Sequence, residues 1–221
     1  MTEDHLYETT IYTTYAAIVL AKELGFDRTD LLTLTIASLL KDVGLLSNQI
    51  DINDPEEYKS HPIWTYKYLK RNGLIRDAAL AIMLQHHEHK DGSGFPRQLM
   101  GDEISISARL IAIVNFFYDL KSEFDDNPKT TFDHFEMELI QIIDKFDLDV
   151  AKVFMDHLEL FALDAIVRLS NDDLAVIFEN SRTNPFTPLV KIIRSNTYKV
   201  GELIQIKNIN NLSILSVVYI S

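Results

Sequence analysis

The chain is expected to be mainly α, a helical bundle carrying a small C-terminal antiparallel β module. Three observations predict this. Apolar residues recur at helical spacing through the first two-thirds, in segments that end at glycines. Asp54-Pro55-Glu56-Glu57 has the form of a helix start, with a capping carboxylate, proline in the first turn and acids at the positive dipole end. After Leu163 the chain changes to short β-branched runs separated by turn residues. The expected division is residues 1–163 as a helical domain and 164–221 as a small β-rich module.

Tyr7 to Leu24 carries Ile11, Tyr15, Ile18 and Val19 at helical spacing and stops at Gly25. Asp27 or Thr29 can cap a second helix through Leu40 that ends near Gly44. Ser47 to Asp54 reads as a polar connector. The helix starting at Asp54 is expected to be interrupted or bent at Pro62 and to stop at Gly73. Arg76 to His87 is another helix. Lys90 to Pro96 holds two glycines and a proline, so it must be a loop. Ile104 to Ser122 is apolar on most faces and is expected to be central. Asp125 to Lys129 reads as a loop, followed by helices over Thr131–Phe146 and Val150–Phe161. The runs VRLS, LAVIF, LVKIIRS, LIQIKNI and LSILSVVYI then read as strands.

With 221 residues, 47% hydrophobic and 24% charged, the composition is that of a soluble globular protein. No apolar run approaches the roughly 20 residues of a membrane helix, and the acidic start MTEDHLYETT lacks the features of a signal peptide, so a cytoplasmic location and no membrane partner are expected. There are no cysteines, which excludes disulfides, thiolate metal sites and thiol nucleophiles. Any metal must be held by His, Asp, Glu or backbone oxygen, which suits iron, manganese or zinc. The 33 acids against 21 Lys and Arg give a net charge of -12, so nucleic-acid binding is not expected. A small anionic ligand needs only one local cationic pocket.

The residues that could carry chemistry are Asp42 after an apolar helix, His61 before Pro62, and His86-His87-Glu88 immediately before the glycine loop, with Asp91 and Asp119 following. Neighbouring helical residues point about 100° apart. His86 and His87 can therefore share one ion only where the helix frays or a loop closes over it, and the glycines that follow supply that opportunity. Read alone, each histidine is an ordinary surface or core residue.

In context the pattern is more specific. His86-His87-Glu88-His89-Lys90-Asp91-Gly92-Ser93-Gly94-Phe95-Pro96 is similar to the HHE-x-x-DGSGYP signature of HD-GYP domains. Leu99, Gly101, Ile104 and Ala108-Arg109-Leu110-Ile111-Ala112-Ile113 follow at the matching distance. Ala37-Ser38-Leu39-Leu40-Lys41-Asp42-Val43-Gly44 resembles the run ending in HDIGK, and His61-Pro62 the isolated His-Pro. The likeness covers Tyr7 to Ser122 and extends more faintly through Val167–Ser170 and Asn184–Val190. It implies an HD-superfamily helical core that hydrolyses cyclic di-GMP with two or three metal ions. A pair of ions about 3.5–4 Å apart acidifies the attacking water and neutralises the phosphate oxygens.

The chain departs from that pattern at defined places. The HD histidine is Lys41, the HDIGK lysine is Leu45, the first-helix histidine is Thr9, the glutamate one turn before it is His5, and the aspartate of the last core helix is Asn115. Phe95 stands for the loop tyrosine. Asp42, His61, His86 and His87 remain as metal ligands, with Asp42 catalytic if the domain is active. Thr9, Lys41 and Asn115 fall where the family builds one metal position. The ammonium of Lys41 repels a metal and could replace the missing cation beside Asp42.

Three readings follow. The first is a catalytically impaired signalling module whose loop, Gly92, Gly94, Phe95 and Pro96, contacts a diguanylate cyclase (GGDEF) domain or another signalling protein. The second is a residual phosphodiesterase with one divalent metal. The third is a receptor that binds cyclic di-GMP without cleaving it, with Lys41 and Arg109 as phosphate contacts, while Lys90 and Arg97 read as solvated surface. The expected cofactor is no metal or one Fe, Mn or Zn ion, not a full bi- or trinuclear centre. A homo-oligomer is compatible with the β edges. The start at Met1, almost on the first core helix, reads as a trimmed or stand-alone module.

Overall fold

The computed structural model describes residues 3–46, 50–126, 132–181, 183–207 and 212–218; the side chains of residues 3–5, 125, 126 and 142 lie outside the description. The chain forms two compact units, one of Met1–Asp119 with Ile143–Val153, the other of Leu120–Ile142 with Phe154–Ser221.

The first unit is built from α1 (Glu3–Glu23), α2 (Arg28–Leu40), a 3₁₀ turn (Val43–Leu46), α3 (Pro55–Tyr58), α4 (His61–Asn72), α5 (Asp77–Gln85) and the start of α6 (Ile106–Asp126). Asp27 caps α2 by accepting the Asp30 amide at 2.8 Å. Asp54 caps α3, accepting the amides of Glu56 and Glu57. The helix expected over 54–73, with an interruption or bend at Pro62, is two helices. The break falls at Lys59-Ser60, and Pro62 sits in the first turn of α4, where its missing N–H costs nothing. Gly73 closes α4 in the left-handed region, with its N–H on the Lys70 carbonyl.

The inner face of α1 differs from the one its apolar residues suggest. Tyr7, Ile11 and Tyr15 are exposed, while Thr9, Thr13, Ala17, Leu20 and Ala21 are buried. Small and hydroxyl-bearing residues thus occupy the packed side, where helices approach closely. Leu34, Ala37, Leu80, Met83, Leu110, Ile111 and Ile113 form the solvent-free centre, and α2 packs against both α1 and α5.

The second unit holds α7 (Phe132–Ile143) and a sheet of β1 (Ile166–Leu169), β2 (Leu174–Glu179), β3 (Leu189–Arg194), β4 (Leu203–Gln205) and β5 (Ile214–Val218). All pairings are antiparallel, in the order β4-β3-β2-β1-β5. Inward residues Val167, Leu169, Ala175, Ile177, Val190 and Ile192 alternate with more exposed neighbours, the period-2 pattern of a sheet covered on one face. Phe124, Phe132, Phe135, Phe161 and Phe186 form a continuous aromatic cluster in this unit. α8 (Leu148–His157) is capped by Asp147, which accepts the Asp149 and Val150 amides. α6 continues to Asp126, into the expected loop at 125–129; residues 127–131 and Ser47–Gln49 lie outside the described ones. Among the described residues, no helix is long and apolar enough to cross a membrane.

Candidate metal centre

Asp42 is set by the turn that ends α2. The Thr65 hydroxyl donates to the Lys41 carbonyl at 2.9 Å and accepts the Gly44 amide at 2.8 Å, fixing that turn against α4. Gly44 is required there: a Cβ would stand 2.4 Å from the His61 carbonyl oxygen and 2.8 Å from the Thr65 amide. The same helix presents His61, so the clasp sets the distance between carboxylate and imidazole.

His86 and His87 lie just past the last residue of α5. Off the helix they can converge, and their ring centroids are 4.2 Å apart. His61 Nδ1 donates to the Tyr58 carbonyl at 2.7 Å, and His86 Nδ1 to the Met83 carbonyl at 2.6 Å. In the neutral rings this leaves both Nε2 atoms as lone-pair acceptors. They face each other at 3.2 Å, and each is 3.3 Å from Asp42 Oδ1.

Three acceptors aimed at one point repel unless a cation lies among them. Donors held about 2.1 Å from one ion at right or tetrahedral angles stand roughly 3.0–3.4 Å apart, and the observed separations fall in that range. With His87, the four donor atoms lie within 4.8 Å of one another. The donor set therefore fits one divalent ion, with backbone carbonyls as the outer partners that orient both rings.

The other side of Asp42 has a different character. Oδ2 is ion-paired to the ammonium of Lys41, whose residue is 1% exposed. Burial raises the Asp42 carboxyl, but the Lys41 charge together with the His61 and His86 contacts outweighs this and holds it well below the usual carboxylate range. Burial pushes the His86 imidazole down to about 4 and holds His87 well below its ordinary value. Both rings are thus neutral, as ligation requires.

Four of the positions that depart from the HD-GYP pattern, Thr9, Lys41, Leu45 and Asn115, line one cleft with Leu6, Asp42, Tyr58, His87 and Asp119. The cleft offers about 10 Å³, the room of a single water. Asn115 Oδ1 accepts the Thr13 hydroxyl at 2.9 Å, and its buried Nδ2 has no hydrogen-bond partner among the described residues. A lysine ammonium and an amide N–H donor do not fit a second metal ion. His5 lies outside the described side chains.

The glycine loop closes over the histidines. Phe95 stacks on His87 with centroids 4.4 Å apart and 18° between planes, so its ring supports a ligand as well as edging the loop. Gly94 is needed for close approach, since a Cβ would meet His89 N, His87 O and Glu88 Cα at 2.3–2.5 Å, all backbone. Gly92 and Pro96 lie at partly covered positions on either side. Arg109 reaches outward, to Asp147 and Asp102 at 2.8 Å each and to the carbonyls of Ile104 and Gly101. It does not line the cleft. Lys90 pairs with Asp147 at 3.0 Å rather than standing free.

Two contributors have roles that the sequence reading did not assign. Tyr58 lines the cleft and packs on His61 at 5.0 Å; its place three residues before His61 is a weak signal. Burial, with the Asp42 and Asp119 carboxylates, pushes its phenol up, so it stays a protonated donor. Glu88, 1% exposed, accepts the Arg97 and Leu99 amides at 2.7 and 2.9 Å, strapping the loop to the end of α5.

A family model described as HD domain matches residues 1–150. The chain is 28% identical over 202 residues to the cyclic di-GMP phosphodiesterase PdeB of Borreliella burgdorferi, covering 84% of this chain and 52% of that protein. It is 24% identical over 207 residues to the cyclic di-GMP phosphodiesterase PA4108 of Pseudomonas aeruginosa, covering 90% of this chain and 50% of that one. The chain thus spans about half the length of these relatives. Among solved structures it resembles Bd1817, a HDG"Y"P protein from Bdellovibrio bacteriovorus, with a TM-score of 0.53 and 21% identity over 66% of this chain and 50% of the other. A cyclic GMP-AMP specific phosphodiesterase of Vibrio cholerae, V-cGAP3, gives a TM-score of 0.53 and 18% identity over 70% and 44%. At these identities the structural likeness speaks for the fold.

Proposed function

Because the chain belongs to the HD domain family, we propose that it acts in cyclic di-GMP signalling as a catalytically impaired HD-GYP-like domain, with one divalent ion where the resemblance implies two or three. The observation that carries this reading is the division of Asp42: Oδ1 faces His61 and His86, while Oδ2 is taken by Lys41. A carboxylate that bridges two ions with one oxygen on each needs both oxygens free, and here one already has its cation.

In this reading Asp42, His61, His86 and His87 hold iron, manganese or zinc. A bound divalent ion supplies an acidified water and a counter-charge for a phosphate oxygen. Lys41 supplies a fixed positive charge in place of a second ion, and Thr9, Leu45 and Asn115 leave that position without ligands. The domain then works by binding cyclic di-GMP or by presenting the Gly92–Pro96 loop to a diguanylate cyclase domain or another signalling protein, as one copy or several, in the cytoplasm. Residues 1–163 form the HD-GYP-like part and 164–221 the β-rich module. Arg109 serves as a brace for the loop region, supported by its four bonds to Asp147, Asp102 and two carbonyls.

A second reading, residual phosphodiesterase activity through the single ion, is favoured by the fit of the three converging acceptors to one cation. One experiment separates the two. Purified protein is assayed for metal content, cyclic di-GMP binding and linear product. About one equivalent of metal with binding and no product supports impairment. Product that is lost in both His86→Ala and Asp42→Ala supports the residual enzyme, and metal-dependent turnover with two bound equivalents overturns the single-ion centre.

A further inference from the structure

Outside the metal centre, α4 places Trp64, Lys67, Tyr68 and Arg71 at spacings of three and four, on one side of the helix. With Val43, Gly44 and Leu46 of the 3₁₀ turn they line a groove of about 380 Å³, within the range of about 300–1,000 Å³ typical of small-molecule sites. The chain carries 33 acids against 21 bases, yet among the described residues no acid lines this groove. Among the described residues, Lys67 and Arg71 make no ion pair, whereas Lys70 on the same helix is held by Asp77 at 2.8 Å. The Lys67 ammonium stands 5.5 Å from the centre of the Trp64 ring. Tyr68 is 60% and Leu46 70% exposed, so an aromatic and an aliphatic surface lie open beside two uncompensated cations.

We propose that this groove is a binding site for a nucleoside monophosphate unit. An aromatic face receives a base by stacking, and a neighbouring cation pair receives a phosphate. Arg71 offers the planar fork suited to two phosphate oxygens, and Lys67 a mobile point charge. The dimensions favour a mononucleotide over a peptide: the two rings and the two cations each span a single helical turn, enough for one base and one phosphate. The site does not depend on the metal-centre reading, because none of its residues ligates there.

Trp64 is the only tryptophan, so its fluorescence reports on the groove directly. The full chain is titrated with guanosine 5′-monophosphate, with the indole N–H followed by NMR as a second readout. Saturable quenching is expected, weakened on the order of tenfold or more when Lys67→Glu and Arg71→Glu are combined, since two charge-assisted contacts become repulsive. Guanosine alone and inorganic phosphate should each bind on the order of tenfold more weakly than the nucleotide, because each fills half the site. The Asp42→Asn protein should respond as the parent does. Absence of both fluorescence and NMR responses overturns the proposal. So does a response lost in folded Asp42→Asn protein, which would locate the ligand at the metal centre. Saturable quenching by the peptide Glu-Phe-Glu with none by the nucleotide overturns it in favour of an acidic peptide site.

Discussion

His61 and His86 turn their Nε2 atoms toward each other at 3.2 Å, with both Nδ1 atoms already committed to backbone carbonyls. Neutral imidazoles in that tautomer offer two lone pairs to the same point, where Asp42 Oδ1 adds a third. The centre is therefore organised around a positive charge that these three residues do not themselves supply. The protein purified without added metal should carry about one equivalent of iron, manganese or zinc, measured by elemental analysis. His86→Ala should lose most of it, and a folded, metal-free parent would contradict the assignment.

Lys41→Met tests the other side of Asp42. Removing one member of a buried ion pair costs about 3–5 kcal/mol, because the remaining charge is stranded. The melting temperature should fall accordingly. Added Mn²⁺ or Zn²⁺ should stabilise the variant more than the parent, as a divalent ion takes over the neutralising role. An unchanged melting temperature would show that Lys41 does not act as the counter-charge.

The buried histidines predict the acid response of metal-free protein. His86 titrates near 4 when folded and near its ordinary 6.5 when unfolded, so between those values the unfolded chain binds more protons. Stability then rises with pH across this window and is lost as the solution is acidified from about pH 6.5 toward 4. The contribution of His86 is on the order of 3 kcal/mol. Denaturant melts of chelator-treated protein at a series of pH values should show this slope, reduced in His86→Ala. A flat profile would mean that the ring is charged in the folded state.

Glu88→Ala removes the acceptor for two loop amides in a site closed to water. A cost of about 2–4 kcal/mol is expected. Hydrogen exchange at Arg97 and Leu99 should accelerate before the rest of the domain opens. Uniform exchange rates across the chain would show that the strap is not local.

Gly94→Ala places a methyl within 2.5 Å of three backbone atoms. No rotamer change can relieve that, so the loop must move away from His87, and both metal content and thermal stability should drop. A variant that keeps parental stability would show that the loop opens at little cost.

Much of this was readable from the residues themselves. The change from period-3.6 to β-branched runs near residue 163 matches the first strand at Ile166. Asp42, His61, His86 and His87 could be named as a group from the family likeness, and their donors do lie together. Other features required the third dimension. Hydrophobic period alone could not show that α1 packs through Thr9 and Thr13, because close helix contact there selects for size rather than apolarity. Tyr58 and Asp147 also act through distant partners, Asp119 for the one and Lys90 and Arg109 for the other, at positions that local pattern leaves unmarked. The break at Lys59-Ser60 was misplaced to Pro62 because proline can begin a helix as readily as it can bend one.

The meeting of Thr9, Lys41, Leu45 and Asn115 in one cleft has a bearing on reversibility. Changing Lys41 alone to histidine would add one ligand while stripping Asp42 of its partner charge, and changing Asn115 alone to aspartate would bring another carboxylate into a space the size of one water. Each single step back is a loss until its companions are made. A return to a two-ion centre would have to cross a valley of simultaneous substitutions, which makes the present arrangement behave as a ratchet.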